Sequence, residues 1–512
     1  MPRLLFIPLF FVALISQAAP PKIDAVYPAG GKIGTENDVV FVGKCDPWPC
    51  EFWASDSGVK FVPDEKRERV GKIVLEKKTK PGPFWFRFLN AEGTSEPRLF
   101  FAGTLPEVVE DAKLGHGAVL EGQPITEKFP LVVNGRLEKK NEADFFKVTA
   151  KKGDVLHIAL DGYSLRSPID PMLHVYDADG ARLALQHDGP VNLDPRLKFP
   201  IPADGEYTLG VLAIGHPTNA NVFLQGSTAS VYRLLLALDE KALPAHLKPA
   251  PLPVSPQPNA PYTAPFEVVS VLGKPRTPNR VLVSAKKGDS FLAKVEAYSL
   301  GFETDPVLRI FKPDGALLRE TDDVKPNRDS EYLVKISADG EYGIEVADRY
   351  GRAGENLKYR LTVGERKPDF TVTADKHSYA VKAGETVEVK LKIARINGHV
   401  VPLELVVPKI LGIDVELPKE IPNKTADVII KLKAKADAKA FNKSIQIKLR
   451  ESEGDAKLVK TIDFSLQDAA ARGPFLIDEI SDLWLTIIPK PAPKKEEKPD
   501  DKKEKADAKA KK

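Results

Sequence analysis

The sequence has little cysteine, little methionine and no excess of charge of either sign. Its 512 residues include only two cysteines, and no second Cys pair or His pair follows them at zinc-ligand spacing, which argues against a zinc site of that kind. No Cys-x-x-Cys-His occurs, which argues against covalent haem. Lys and Arg (75) nearly balance Asp and Glu (72), leaving a formal net charge of +3. The two signs are interspersed, so there is no electrostatic footprint for nucleic acid. Beyond the first twenty residues, no apolar run is long enough to span a bilayer as a helix. The motifs of common catalytic machinery are missing too: no Gly-x-Ser-x-Gly elbow, no His-Glu-x-x-His and no phosphate-cradling Gly-x-x-x-x-Gly-Lys. This chain is read as not an enzyme.

What is present points to sheets. Proline is abundant (44 residues), and Val, Thr, Tyr and Phe come in short runs, a profile of strands joined by tight turns. The length implies about three or four domains. At the N-terminus, Arg3 supplies a positive end, Leu4 to Ile15 an apolar stretch, and Ser16-Gln17-Ala18 the small residues a signal peptidase reads. Residues 1–18 are expected to be an export signal cut after Ala18; an uncleaved anchor is the alternative. The destination is then periplasmic, cell-surface or extracellular, and Cys45 and Cys50, flanking Asp-Pro-Trp-Pro, most simply form a disulfide there.

One unit occurs twice. Lys151-Lys152-Gly153-Asp154 returns as Lys286-Lys287-Gly288-Asp289, an offset of 135 (286 − 151). At that offset Tyr163-Ser164-Leu165 becomes Tyr298-Ser299-Leu300, Asp170-Pro171 becomes Asp305-Pro306, and Asp179-Gly180 becomes Asp314-Gly315. Ala203-Asp204-Gly205-Glu206-Tyr207 likewise becomes Ala338-Asp339-Gly340-Glu341-Tyr342. The closing Tyr232-Arg233-Leu234 and Tyr359-Arg360-Leu361 are 127 apart (359 − 232), so the first copy carries eight extra residues near Gly215 to Ser230. Such repeats signal serial architecture.

Around the repeats the chain divides as follows. Residues 21–104 form a small immunoglobulin-like β-sandwich, and 105–127 a connector. The first copy spans 128–240, a proline-rich spacer 241–265, and the second copy 266–365. Residues 368–488 form a further immunoglobulin-like sandwich: Val387 to Ile393 alternates with period two, as a half-buried strand does, and Phe475 to Ile488 is expected to add a last strand. Residues 489–512 are Lys, Glu, Asp, Ala and Pro, with nothing to bury, and are expected to be disordered. The fold class is all-β, a tandem of jelly-roll-like and immunoglobulin-like β-sandwiches.

The copies resemble the bacterial pre-peptidase C-terminal domain. The resemblance rests on Asp144-Phe145-Phe146 leading into Ala150-Lys151-Lys152-Gly153-Asp154, then on Asp170-Pro171, Asp177 to Gly180, Ala203 to Tyr207 and Tyr232-Arg233-Leu234. The second copy departs at its start, where Asn279 replaces the leading acid. The segment Val26 to Gly31 is similar to the transcription-factor-type immunoglobulin (TIG) module that often precedes such domains. The resemblance implies non-catalytic β-sandwiches of exported bacterial proteins, associated with substrate or matrix binding and sometimes with calcium.

Acid clusters are the candidate chemistry. In the second copy Asp322, Asp323, Asp329 and Asp348 lie on neighbouring loops and a strand end, and calcium takes oxygen ligands from such loops. The equivalents in the first copy are His187, Asp188, Asp194 and Ala213, so only Asp188 and Asp194 remain as carboxylates. The competing reading makes these acids turn formers and solvated loop residues. Asp177 and Asp179 begin a calcium-like ladder that is not completed, so a hairpin turn explains them better. Trp48, Trp53 and Trp85 would stack on sugars if exposed and fill a core if buried. Eight histidines are scattered: His116, His157, His174, His187, His216, His246, His377 and His399. Two of them, His157 and His174, lie on expected strands and would either face each other or be ordinary half-buried positions. The functional expectation is binding or spacing at the cell surface or in the matrix, with an envelope or matrix protein or polysaccharide as partner. The alternative is an accessory, substrate- or glycan-binding component of a secreted peptidase or other hydrolase.

Overall fold

The computed structural model describes residues 19–490 except 115–116, 217–222, 245–246, 249–251, 256–260, 324–327, 455–457 and 468–470. The expected signal 1–18, the charged tail beyond Lys490, His116, His246 and parts of the proline-rich spacer lie outside the described residues. Among the described residues there are strands and short 3-10 turns but no α-helix, so the fold is all-β.

Four β-sandwiches follow one another. In the first, Lys22–Tyr27, Glu36–Lys44, Val70–Leu75 and Val59–Pro63 form one sheet in that order. Gly30–Lys32, Arg98–Gly103, Gly82–Asn90 and Glu51–Ala54 form the facing one. Phe41, Phe86, Phe88 and Phe100 are fully buried between them, each burial contributing ~1.5–3 kcal/mol. Phe41 meets Phe88 edge-on at 4.8 Å, the arrangement that ring quadrupoles favour. Cys45 and Cys50 are joined as a disulfide in the link from one sheet to the other. Within that loop Trp48 packs on Phe61 and Phe88 and donates its indole N–H to the Asp64 carbonyl at 2.9 Å.

The second sandwich places Leu131–Arg136, Val231–Ala237, Val155–Asp161 and Arg196–Pro200 side by side. They face Asp144–Ala150, Gly205–Gly215, Ile169–Tyr176 and Arg182–Gln186. The third has the same strand order: Phe266–Val271, Lys358–Gly364, Ser290–Glu296 and Ser330–Lys335 against Asn279–Ala285, Gly340–Asp348, Pro306–Phe311 and Leu317–Thr321. The second sandwich adds two short edge strands, Glu107–Val109 and Gln123–Pro124, to its two sheets. Asp177 and Asp179 do form a hairpin turn. The Asp177 carboxylate accepts from the N–H groups of Asp179 (3.1 Å) and Ala181 (2.8 Å), and Gly180 takes the positive φ (81°) the turn needs.

In the last sandwich, the strand Thr386–Ile396 turns Val389, Leu391 and Ile393 inward and Lys390 and Lys392 outward, as its alternation requires. Of the stretch expected to close it, Leu483–Ile488 is the strand that pairs with Ser378–Lys382 and Phe441–Ile445. The residues before it do something else: they form a strap across the other sandwiches.

That strap and the last sandwich bind the modules to one another, so they are not independent beads. Trp484 meets Trp53 of the first sandwich edge-on at 5.3 Å. Arg87, 0% exposed, donates from Nη1 to His377 Nδ1 at 2.8 Å. This leaves His377 Nε2 as the donor toward Glu96 Oε1, 3.0 Å away. Burial lowers the Arg87 pKa to about 10, so it stays charged in neutral solution. Trp85, Leu99, Leu466 and Ile480 make a shared apolar cluster.

The first and second sandwiches meet through a polar network. Tyr232 donates to Asp144 Oδ2 at 2.7 Å and lies 3.2 Å from Glu110 Oε2, while Tyr27 donates to Glu110 Oε1 at 3.2 Å. Burial, and then the neighbouring Asp144, raise Glu110 to about 9, so it carries a proton in neutral solution.

Candidate functional site

The second and third sandwiches enclose a cleft of about 460 Å³, within the size range of small-ligand sites. One wall comes from His157, Ile158 and Ala159 on Val155–Asp161, and from Arg196, Leu197 and Lys198 on the neighbouring edge strand. Leu156, Ile158 and Leu160 occupy the core of that sheet, so period-two alternation turns His157 away from the core. The opposite wall is Phe302, Glu303, Glu355, Asn356 and Lys358 of the third sandwich. Lys358 Nζ sits 5.7 Å from the centre of the Phe302 ring, and Asn356 donates to Glu303 Oε1 at 3.3 Å. Lys198 pairs with Glu240 at 3.1 Å. Burial, helped by Lys198, lowers the His157 pKa, which favours a neutral imidazole on the cleft wall. Phe302 is itself 4% exposed and belongs to the core of the third sandwich, so the cleft offers cations, carboxylates and an amide beside the half-buried Leu243 and Leu247.

The joint between these sandwiches is the loop after Gln186. Tyr298 of the third sandwich donates to the Val191 carbonyl. Asn192 donates to Pro474 of the strap at 2.9 Å. Tyr163 stacks on Phe475 at 4.7 Å and donates to the Gly473 carbonyl at 3.0 Å. Gly473 has φ +97°, and a Cβ there would lie 2.1 Å from the Val191 carbonyl oxygen. Only glycine lets the strap pass this close.

The acids singled out from the sequence do not converge. Asp194, 0% exposed, accepts three backbone N–H groups: Gly162 (2.8 Å), Tyr163 (2.7 Å) and Ser164 (2.9 Å). It holds the 3-10 turn Tyr163–Leu165 in place. Its counterpart Asp329 does the same for the second such turn, accepting from Ala297 (2.9 Å) and Ser299 (3.4 Å). Asp348 accepts from Arg352 Nη2 at 2.8 Å and Nε at 3.0 Å and from the backbone of Asp305, Tyr350 and Arg352. Burial opposes its charge, but these bonds keep its pKa below the ordinary carboxylate value. Asp322 pairs with Arg349. Asp323 is at the end of the described segment. Three of the four acids are thus committed to N–H donors, and among the described residues Asp322, Asp323, Asp329 and Asp348 do not gather their free oxygens into one metal-ligand group. The physical reason is that two of the acids lie inward, where buried amides and a guanidinium need them.

The grouping that does form among the described residues is Asp170, His187 and Asp188, with one ligand atom from each within 4.8 Å of the others. Of these the sequence reading had proposed only Asp188. Asp170 and its counterpart Asp305 were visible as repeated Asp-Pro pairs, and an acid recurring inside an apolar strand was the available signal.

The two strand histidines do not face one another. Leu173 and Val175 take the core positions around His174, which contacts the Tyr176 hydroxyl at 2.8 Å in the opposite sheet from His157. Among the tryptophans, Trp85 is buried while Trp48 and Trp53 are half-buried in aromatic contacts.

Residues 142–213 match the bacterial pre-peptidase C-terminal domain family. That stretch contains Asp170, His187, Asp188 and Asp194 but stops before the cleft's opposite wall. No curated protein matches the chain. Solved structures with some likeness include domains 4 and 5 of the S-layer protein SbsC (12% identity, TM-score 0.15, covering 33% of this chain and 98% of that one). Domains 1–6 of the surface layer protein SbsC give 12% identity and a TM-score of 0.17, covering 93% of this chain and 55% of that one. The N-terminal four Ig domains of Dscam1 isoform 8.4 give 11% and 0.18, covering 87% and 97%. Among the described residues no helix is long and apolar enough to cross a membrane.

Proposed function

We propose that this is an exported, non-catalytic protein that binds and spaces at the cell surface or in the extracellular matrix, and that it takes its ligand in the cleft between the second and third sandwiches. The observation that supports this most is the cleft itself. It is built jointly by two sandwiches of the same strand order, with Phe302 and Lys358 opposite His157 and Lys198. Cations, carboxylates and an amide beside the apolar side chains of Leu243 and Leu247 suit an extended polar polymer, either polysaccharide or peptide. In this reading the third sandwich is a second, diverged copy of the family matched by 142–213. The first is the TIG-like module and the last the immunoglobulin-like one. Export rests on residues 1–18 and on the disulfide, which belongs to an oxidising compartment.

The test is retention of the purified protein on isolated envelope polysaccharide and on matrix protein. Retention by the wild type that falls in Asn356→Ala and Lys358→Glu is expected, whereas retention unchanged in both variants removes the cleft from the proposal. The second reading, an accessory component of a secreted peptidase, is favoured by the family match. It predicts co-purification with the hydrolase rather than retention on polymer alone. Turnover of casein or a chromogenic ester by the purified chain would overturn the non-catalytic reading.

A further inference from the structure

We propose that Asp170, His187 and Asp188 bind a divalent transition-metal ion of the zinc type, and that the ion fastens the loop 187–194 at the joint of the second and third sandwiches. The inference is independent of whether the cleft takes a ligand.

Asp170 lies in the buried strand Ile169–Tyr176 and is 5% exposed. Its Oδ1 has no hydrogen-bond partner. His187 Nε2 is 3.1 Å from that oxygen, an ion-pair distance, and is itself buried without another hydrogen-bond partner. His187 Nδ1 lies 3.8 Å from Asp188 Oδ1. Ligand atoms held at about 2.0–2.2 Å around a tetrahedral ion are roughly 3.4 Å apart. An imidazole binds one ion through only one of its nitrogens, so the 3.1 and 3.8 Å separations, made by different nitrogens, do not both belong to one site; one ligand atom from each side chain lies within 4.8 Å of the others, and the loop must tighten to close on the ion. Asp188 is largely exposed on its loop and can close the remaining distance. One imidazole nitrogen with two carboxylate oxygens is a borderline donor set, better matched to zinc than to calcium, which takes oxygen alone.

The third sandwich supplies the independent observation. Asp305, the counterpart of Asp170, is also 5% exposed with Oδ1 unpartnered. There the neighbouring acid Asp322, which stands where the second sandwich has His187, is paired with the guanidinium of Arg349. Arg349 is the counterpart of Ile214 (349 − 135), and Ile214 is the register partner of Asp170. The third sandwich therefore carries a built-in cation at this place. The second has lost it while keeping its buried aspartate, and it has gained an imidazole. A bound metal ion supplies the missing positive charge. It would also tie down Val191 and Asn192, which contact the third sandwich and the strap.

The experiment titrates zinc into the chelator-stripped full chain by calorimetry, with cobalt(II) absorption as a second probe of the ligand set. Hydrogen exchange of residues 187–194 is followed in the same samples. One equivalent should bind, weakened by about tenfold or more in His187→Ala and Asp188→Asn. Both residues lie on the loop, so neither variant puts the fold at risk. Zinc should slow exchange of the loop in the wild type and not in His187→Ala, and calcium should not substitute. Zinc binding that is absent in the wild type, or equal in the wild type and both variants, overturns the proposal. A metal-free His187 side chain held between the two aspartates would give that result.

Discussion

Replacing Asp194 with alanine removes one carboxylate from three buried backbone N–H groups at once. Hydrogen bonds to a charged acceptor contribute roughly 1.5–3 kcal/mol each, and a buried donor left without a partner costs about 1–3 kcal/mol. Three donors thus set a range of about 3–9 kcal/mol, and a water entering the vacated space recovers part of it. A loss of about 4 kcal/mol is expected, at the upper end of single-substitution effects. Among the described residues Asp329→Ala removes one good bond and one long one, 2.9 and 3.4 Å. The four tryptophans are at positions 48, 53, 85 and 484, all in the first and last sandwiches. Tryptophan fluorescence therefore does not report directly on the repeat sandwiches, whereas circular dichroism reports on all four. Urea titrations should show an early loss of sheet signal in Asp194→Ala ahead of the fluorescence transition. Hydrogen exchange at Gly162, Tyr163 and Ser164 should accelerate first. If those three amides exchange as in the wild type and the sheet transition moves by less than about 1 kcal/mol, the carboxylate does not hold the turn and the reasoning fails.

Two further outcomes follow from the interfaces. Glu110 titrates near 9 when folded against an ordinary 4.5; between those values the folded chain keeps a proton that the unfolded chain releases. Stability should therefore fall as pH rises from about 4.5 to about 9, by at most ~1.4 kcal/mol per pH unit. Glu110→Gln should flatten that slope in thermal melts taken across the range, and an unchanged slope would assign it elsewhere. Arg87→Ala removes the hydrogen bond to His377 and the guanidinium beside the Trp484 ring and should weaken the joint of the first and last sandwiches by about 1–3 kcal/mol. A shift in the emission of Trp53 and Trp484 at lower denaturant would report it, and coincident wild-type and variant curves would contradict it.

Strands and turns were legible because they are local. Val389, Leu391 and Ile393 declare an inward face by alternation alone, and Asp177 to Gly180 declares a turn by the side-chain bonds that aspartate makes to nearby amides. The roles of the acids were not legible. Asp194 and Asp188 look alike in sequence, yet one lies beneath a 3-10 turn and the other is exposed. What separates them is which amides the fold brings within 3 Å, a property of chain path rather than composition. Periodicity also says which face of a strand is apolar but not what covers it. Trp53 and Trp85 were therefore open to either reading until Trp484 and Ile480 were found against them. Asp170 lay between these cases. Its recurrence as Asp305 marked it, but its unpartnered oxygen is visible only in three dimensions.

The meeting of Trp53 with Trp484 bears on the order of events during synthesis. The two residues are 431 positions apart (484 − 53). At about 5–20 residues per second, the face of the first sandwich that carries Trp53 and Arg87 emerges roughly 20–90 s before the segment that covers it. For that interval an apolar patch with a lone guanidinium stands open to water and to neighbouring chains. The first sandwich is thus made well before the segment that completes it, and that face needs shielding, or nascent chains need to be kept apart, until that segment arrives.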